Sequence, residues 1–140
     1  MQELADLGAN IELPQGLIGL PRHQRFSLVA GARRGFFWLQ SVDEPGLGFV
    51  LVDPFLHFDG YEVDIQPTDH ADLGPFDRSE LLVLTVVALG DAKSETPTTN
   101  LRGPIAFNLR TRQAKQLVLS DPDIDLNAPF NPFPAISATG

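Results

Sequence analysis

Residues 35–54, GFFWLQSVDEPGLGFVLVDP, restrict the possible folds of this chain more than any other stretch. Two apolar runs, Phe36 to Leu39 and Leu47 to Val52, flank an Asp-Glu-Pro-Gly connector. Aromatic and β-branched residues favour a pleated, packed surface. Proline presets φ and glycine permits positive φ, so Asp43 to Gly46 reads as a turn. Two strands joined by a four-residue-class loop predict a β-hairpin that carries the densest apolar load of the chain and no obvious catalytic group. Trp38, Phe36 and Phe49 are expected in a barrel core.

The rest of the chain is punctuated in the same way. Residues 25–30 (RFSLVA) predict a strand with Phe26, Leu28 and Ala30 on one face. Residues 61–65 alternate Tyr61, Val63 and Ile65 with Glu62 and Asp64, which predicts a half-buried strand. Residues 67–82 are the one place for helix, with Thr68 or Asp69 as N-cap and Gly74-Pro75 as the break. The apolar run 81–89 (LLVLTVVAL) predicts a strand buried on both faces, and short strands follow at 98–101, 104–109 and 113–119 with a tip at Arg110 to Arg112. The first ten residues read as frayed and 90–97 as a polar loop. Many short strands with Gly and Pro between them give a mainly β fold class, a small antiparallel β-barrel or sandwich with one short helical segment. Residues 1–120 form one domain. Residues 121–140, rich in Asp, Pro and Phe, form a peripheral or mobile tail.

Composition removes several function classes. A chain of 140 residues can bury a core without a metal or disulfide. It has no cysteine, which removes disulfides, thiol catalysis and cysteine-ligated metals. The opening MQELADLGANIEL has no basic-then-apolar leader pattern, and no apolar run approaches a membrane span. The net charge of −8 argues against direct nucleic-acid binding, which needs a basic footprint. It confers solubility, and it can also attract a basic partner.

Residues with chemical potential do not converge in the sequence. His23, His57 and His70 lie in three segments, none with a second ligand at metal-site spacing. Asp121, Asp123 and Asp125 alternate but lack the glycine and distal glutamate of a calcium loop, and read as a solvated acidic edge. Ser41 has no evident base. No cofactor or metal is expected. Phe55, Phe58, Phe130 and Phe133 sit beside Pro and polar residues, either as packing under loops or as an apolar patch for a protein partner.

Three segments in order resemble the FliW family: residues 16–21 (GLIGLP), residues 35–54, and residues 98–119 (TTNLRGPIAFNLRTRQAKQLVL) with Thr-Asn-Leu and Pro-Ile before a strand. Arg102-Gly103, the tip Arg112 to Ala114 and the tail after Ser120 depart from the family pattern. The resemblance implies a small β-barrel without enzymatic activity, cytoplasmic, with two partners: flagellin, held before export, and the translational regulator CsrA, which the family antagonises away from its RNA-binding surface. The candidate protein-binding residues are Phe55, Phe58, Asp59, Glu62 and Asp64. A reading from another class remains open: a barrel holding a low-molecular-weight ligand or flavin in its mouth.

Overall fold

The computed structural model describes residues 10–89 and 96–131. The frayed start, the core of the 90–97 loop and Phe133 lie outside these residues. Among these residues nine strands form: β1 (Ile11–Glu12), β2 (Arg25–Ala30), β3 (Phe36–Ser41), β4 (Gly48–Val52), β5 (Leu81–Ala88), β6 (Thr98–Thr99), β7 (Ile105–Asn108), β8 (Gln113–Gln116) and β9 (Ala128–Pro129). The sheet runs β4-β3-β2-β1-β8-β7-β5, and a β4–β5 pairing closes these seven strands into a barrel. All pairs are antiparallel except β1 with β8, where Glu12 lies opposite Gln113. β5 connects three partners in turn: β7 through Leu81 to Leu84, β4 through Thr85 and Val86, and β6 through Val87 and Ala88.

The predicted hairpin is β3 and β4, with Phe37 opposite Leu51 and Leu39 opposite Phe49. Strand side chains alternate between faces, so Phe37, Leu39 and Leu51 enter the barrel with Phe26, Leu28, Leu84, Ile105 and Phe107. Trp38 is on the opposite parity and is 42% exposed on the outer face, which corrects its expected place in the core. Phe36 also faces outward, packed on an outer cluster of Val52, Val87 and Phe130. Phe49 packs against the inner core as expected.

A second outer cluster joins Leu73, Val83, Ala106 and Leu117, against which Val63, Ile65 and Phe76 pack. Residues 61–65 alternate in burial as the sequence predicts, but they pair with no strand and drape over the barrel wall. The helix α1 (Pro67–Leu73) is shorter than the window the sequence offered. Its N-cap is Gln66, with Pro67 in the first turn and Asp69 closing a capping box on the Gln66 N–H at 3.0 Å. Asp69 therefore supports the helix start from its third position. Gly74 ends the helix at φ +80°, where a side chain would be strained. Two 3-10 turns, Pro54–Leu56 and Arg78–Glu80, lead out of β4 and into β5.

Residues 121–131 follow the barrel. β9 pairs with β6, and Phe130 is buried against Val52 and Val87. Asn108 is completely buried in β7. Its Nδ2 lies 2.8, 3.1 and 3.2 Å from the carbonyl oxygens of Leu73, Pro75 and Gly74. Its Oδ1 accepts from the Arg110 N–H at 2.9 Å, inside the β7–β8 turn. One side chain thus ties the end of α1 to the tip of a hairpin. Asn108→Ala strands buried carbonyls, each costing about 1–3 kcal/mol. The expected loss in a urea titration is about 2–4 kcal/mol; a loss below about 0.5 kcal/mol would show that Asn108 does not hold this junction.

Candidate partner-binding surface

Three regions of the surface combine exposure with chemistry. The first is the barrel mouth, a cavity of about 410 Å³ lined by Leu17, Leu20, Phe49, Val86 and Ala88, with Thr98, Asn100, Arg102 and Gln116 at its wall. Asn100 Oδ1, Arg102 and Gln116 at its wall are already engaged. Asn100 Oδ1 accepts from the N–H groups of Arg102 and Gly103 at 3.0 Å, as expected for a bend residue. Gln116 Oε1 accepts from the Ile18 N–H at 2.8 Å while its Nε2 donates to the Gly103 carbonyl at 2.9 Å. The Arg102 guanidinium donates to the carbonyls of Ile124 and Pro122 at 2.9 and 2.8 Å. Ile18, Val118 and Leu126 stand exposed around the mouth.

The second region is a groove of about 550 Å³ between residues 62–69 and 117–124, with Glu62, Asp64 and Asp121 among apolar Leu117, Leu119 and Ile124. The third is the corner after β4. Asp53 caps the 3-10 turn by accepting from the Phe55 N–H at 3.0 Å. Phe55 is exposed and leans on Tyr61, ring centroids 5.4 Å apart. Tyr61 donates its hydroxyl to the Leu101 carbonyl at 2.5 Å, and burial pushes its phenol pKa upward, keeping the donor protonated.

The five residues singled out in the sequence do not form one patch. Glu62 and Asp64 line the acidic groove. Asp59 is exposed at the corner. Phe55 belongs to a neighbouring cleft with Val63, Ile65 and Arg78. Phe58 is half-buried, its ring 6.1 Å from Phe130. Two histidines are packing groups: His57 lies edge-on to Phe36 and Phe130, and His70 stacks on Phe76 at 5.1 Å; the backbone N–H of His23 donates to the Leu20 carbonyl. Asp121 Oδ1 accepts from the Asp123 N–H at 2.9 Å, and Ser41 Oγ accepts from the Glu44 N–H at 3.0 Å within the hairpin loop. Among the described residues no three His, Asp or Glu side chains gather as a metal site.

Trp38 is a surface feature that the sequence reading missed. Val29, Trp38 and Val50 lie in one cross-strand row on the outer face. The indole N–H donates to Gln40 Oε1 at 3.0 Å, and Gln40 Nε2 in turn donates to the Leu47 and Pro45 carbonyls at 2.9 and 3.1 Å. The ring lies over Gly48, where any Cβ would collide with Cζ2. Polar Gln40, two residues on and therefore on the same face, was the signal that places Trp38 outside.

A sequence profile of the FliW protein matches residues 3–130. The chain belongs to the FliW family. The flagellar assembly factor FliW of Magnetococcus marinus is 34% identical over 112 residues, covering 79% of this chain and 69% of its own. That of Treponema pallidum is 37% identical over 112 residues, covering 78% and 72%. A crystal structure of the flagellar assembly factor FliW superposes with a TM-score of 0.77 at 28% identity, covering 86% of this chain and 84% of that one. Flagellar assembly is the role that goes with this membership, and the closed barrel described above is its fold. No helix among the described residues is long and apolar enough to cross a membrane.

An ion triad fixes the helical side of the acidic groove in this FliW-family barrel. Lys115 Nζ lies 2.8 Å from Asp69 Oδ1 and 2.7 Å from Asp72 Oδ2, with Lys115 and Asp69 largely buried. Hydrogen bonds that Lys115 donates to Asp69 and then to Asp72 raise the Lys115 pKa, and hydrogen bonds from Lys115 and then Gln15 lower that of Asp72. The Asp72 contribution is therefore present above the ordinary carboxylate value near 4 and lost as pH falls through the depressed folded value. The Lys115 contribution is present below about 10.4 and lost as pH rises through the elevated folded value. Lys115→Met should lose about 1.5–3 kcal/mol at pH 7, nearly all of it from the buried Asp69 contact, since Asp72 is more exposed. The gap between variant and parent in urea midpoints should stay level from pH 5 to 9 and narrow outside it; a gap that changes within that window would contradict the assignment.

Trp38 is the only tryptophan, so its fluorescence reports one site. Gly48→Ala should push the indole off its platform and away from Gln40, giving a red-shifted emission and faster acrylamide quenching with the far-ultraviolet dichroism unchanged. An identical spectrum would mean that the ring does not rest on Gly48.

Proposed function

We propose that this chain is a non-enzymatic, cytoplasmic partner-switching regulator that holds flagellin before export and, once flagellin has left, binds CsrA and relieves its repression of flagellin translation. Membership of the FliW family across residues 3–130 is the observation that carries this reading. The surface is consistent with it. CsrA must carry basic RNA-binding surfaces, and the net charge of −8, with Asp59, Glu62, Asp64 and Asp121 exposed, favours encounter with such a partner and disfavours RNA beside it. The exposed Phe55, beside half-buried Phe58, is the apolar corner assigned to flagellin.

A second reading draws on the barrel mouth, whose volume of about 410 Å³ is within the range of small-ligand pockets. Such pockets orient a ligand with a few free polar groups. Here Asn100 Oδ1, Arg102 and both ends of the Gln116 amide are bonded to backbone, which weighs against it.

Calorimetric titration of the purified chain with flagellin and with CsrA tests the proposal. Binding to both, with flagellin displacing CsrA, is the expected result. The CsrA association rate should fall as salt rises from 50 to 500 mM, by about 10-fold or more for a steered encounter. Phe55→Ser with Phe58→Ser should weaken flagellin alone. Binding to neither partner, with a small molecule retained in native mass spectra, would replace this function with the ligand reading.

A further inference from the structure

Asp59-Gly60 is the one place in the chain where an aspartate or asparagine is followed by glycine. It lies at the corner after β4, in the turn where the Tyr61 N–H donates to the Phe58 carbonyl at 3.3 Å. Asp59 is exposed, and its carboxylate has no hydrogen-bonded or ionic partner among the described residues. The Gly60 N–H likewise donates to no acceptor among them. Gly60 adopts φ +78°, and a Cβ placed there would meet nothing within 4 Å. A free carboxyl group and the unshielded backbone nitrogen that follows it thus share an exposed turn, where local opening costs least.

Other aspartates are restrained. Asp43 pairs with Arg25, and Asp69 and Asp72 pair with Lys115. Asp53 and Asp121 precede proline, whose nitrogen carries no proton to give up. Asp64 and Asp123 precede isoleucine, whose branched side chain crowds the nitrogen.

We propose that Asp59 is a site of spontaneous modification, converted in the folded protein to isoaspartate through a cyclic imide. The Gly60 nitrogen attacks Asp59 Cγ. A C–N bond forms, a carboxyl C–O bond breaks, and the hydroxyl leaves with the amide proton as water. Water then opens the ring. Attack at Cγ restores Asp59; attack at the main-chain carbonyl leaves Gly60 joined through the side chain, with the α-carboxylate pendant. Nothing is oxidised or reduced, water is the sole co-reactant, and the chemistry is independent of any partner.

The conversion lengthens the main chain by one carbon. Both flanks of the turn are anchored: the Phe58 ring lies 6.1 Å from that of Phe130, and the Tyr61 hydroxyl donates to the Leu101 carbonyl. The added carbon is therefore taken up at residues 59–60, outside the core. It displaces the surface corner where Phe55 leans on Tyr61 and leaves the barrel intact.

The test is to age the purified protein for weeks at physiological temperature. Isoaspartate is then labelled with protein-L-isoaspartate methyltransferase and mapped by mass spectrometry of the digest. Label at residue 59 should exceed that at every other aspartate. It should form at a rate within about tenfold of a free peptide of residues 55–63, because an exposed turn opens at little cost. Asp59→Glu keeps the charge but requires a larger ring, and should lose the label. Asp59→Asn keeps the same ring with ammonia as the leaving group, and should gain label faster than the parent. Both variants replace an exposed, unpaired side chain, so they should melt with the parent, and the aged parent should melt with the fresh one. Label absent from residue 59, or formed more than about tenfold slower than in the peptide, overturns the site. Label that Asp59→Glu retains overturns the cyclic-imide route. A lowered melting temperature in aged parent but not in aged Asp59→Glu overturns confinement of the change to the corner.

Discussion

β1 and β8, the first and last strands of the seven-stranded ring in chain order, are neighbours in it, and their seam is short. β1 is two residues long, and its one registered pair with β8 sets Glu12 opposite Gln113. The Glu12 N–H donates to the Arg112 carbonyl at 2.9 Å, and the Gln113 amide donates to Glu12 Oε1 at 3.2 Å. Arg112 makes this possible by adopting φ +64°, a conformation uncommon outside glycine. With the seam closed, Ile11 and Leu13 are sealed into the core beside Phe26 and Ala114. Were it open, both edges would offer unpaired backbone to other chains. The remainder of the architecture, including the mouth wall formed by Leu17 and Leu20, hangs from the segment that leaves this seam.

The outer layer is the second requirement. A barrel of short strands has apolar residues on both faces of β5, and the outward ones need cover. α1 and residues 61–65 cover Val83, while Phe58 and Phe130 cover Val52 and Val87. Asn108 and the Lys115 triad attach the first cover through polar contacts, and β9 attaches the second through β6. The Thr99 hydroxyl donates to the Val86 carbonyl at 2.7 Å and sits 2.7 Å from Thr85 Oγ1, so the branch from β5 to β6 leaves neither buried hydroxyl unsatisfied. The cover elements then become walls of the surface clefts.

The fold was legible where local pattern and tertiary environment agree. The β3–β4 hairpin, the alternating β2, the doubly buried β5 and the Gly74 end of the helix all follow from side-chain period and turn chemistry, whereas the helix is capped by Gln66 rather than by Thr68 or Asp69. Three features were not legible for identifiable reasons. Residues 36–39 are apolar without interruption, so inward and outward positions had to be taken from Gln40, and Trp38 was placed on the wrong side. Residues 61–65 alternate because they lie on a surface, and alternation does not distinguish a paired strand from an unpaired one. The surface clefts bring Ile18 to Val118 and Glu62 to Asp121, pairs too distant in the chain for any local pattern to join them.

The arrangement of Trp38 over Gly48 has a consequence for how surfaces of this barrel can be altered. The indole is exposed, yet its position is set by a residue with no side chain and by an amide that reaches into a loop. Substituting the visible neighbours Val29 and Val50 changes what surrounds the ring. Adding one carbon at position 48 changes where the ring is. A mutational map restricted to side chains that solvent can touch would therefore miss the atom-sized vacancy that governs the largest aromatic group on this face.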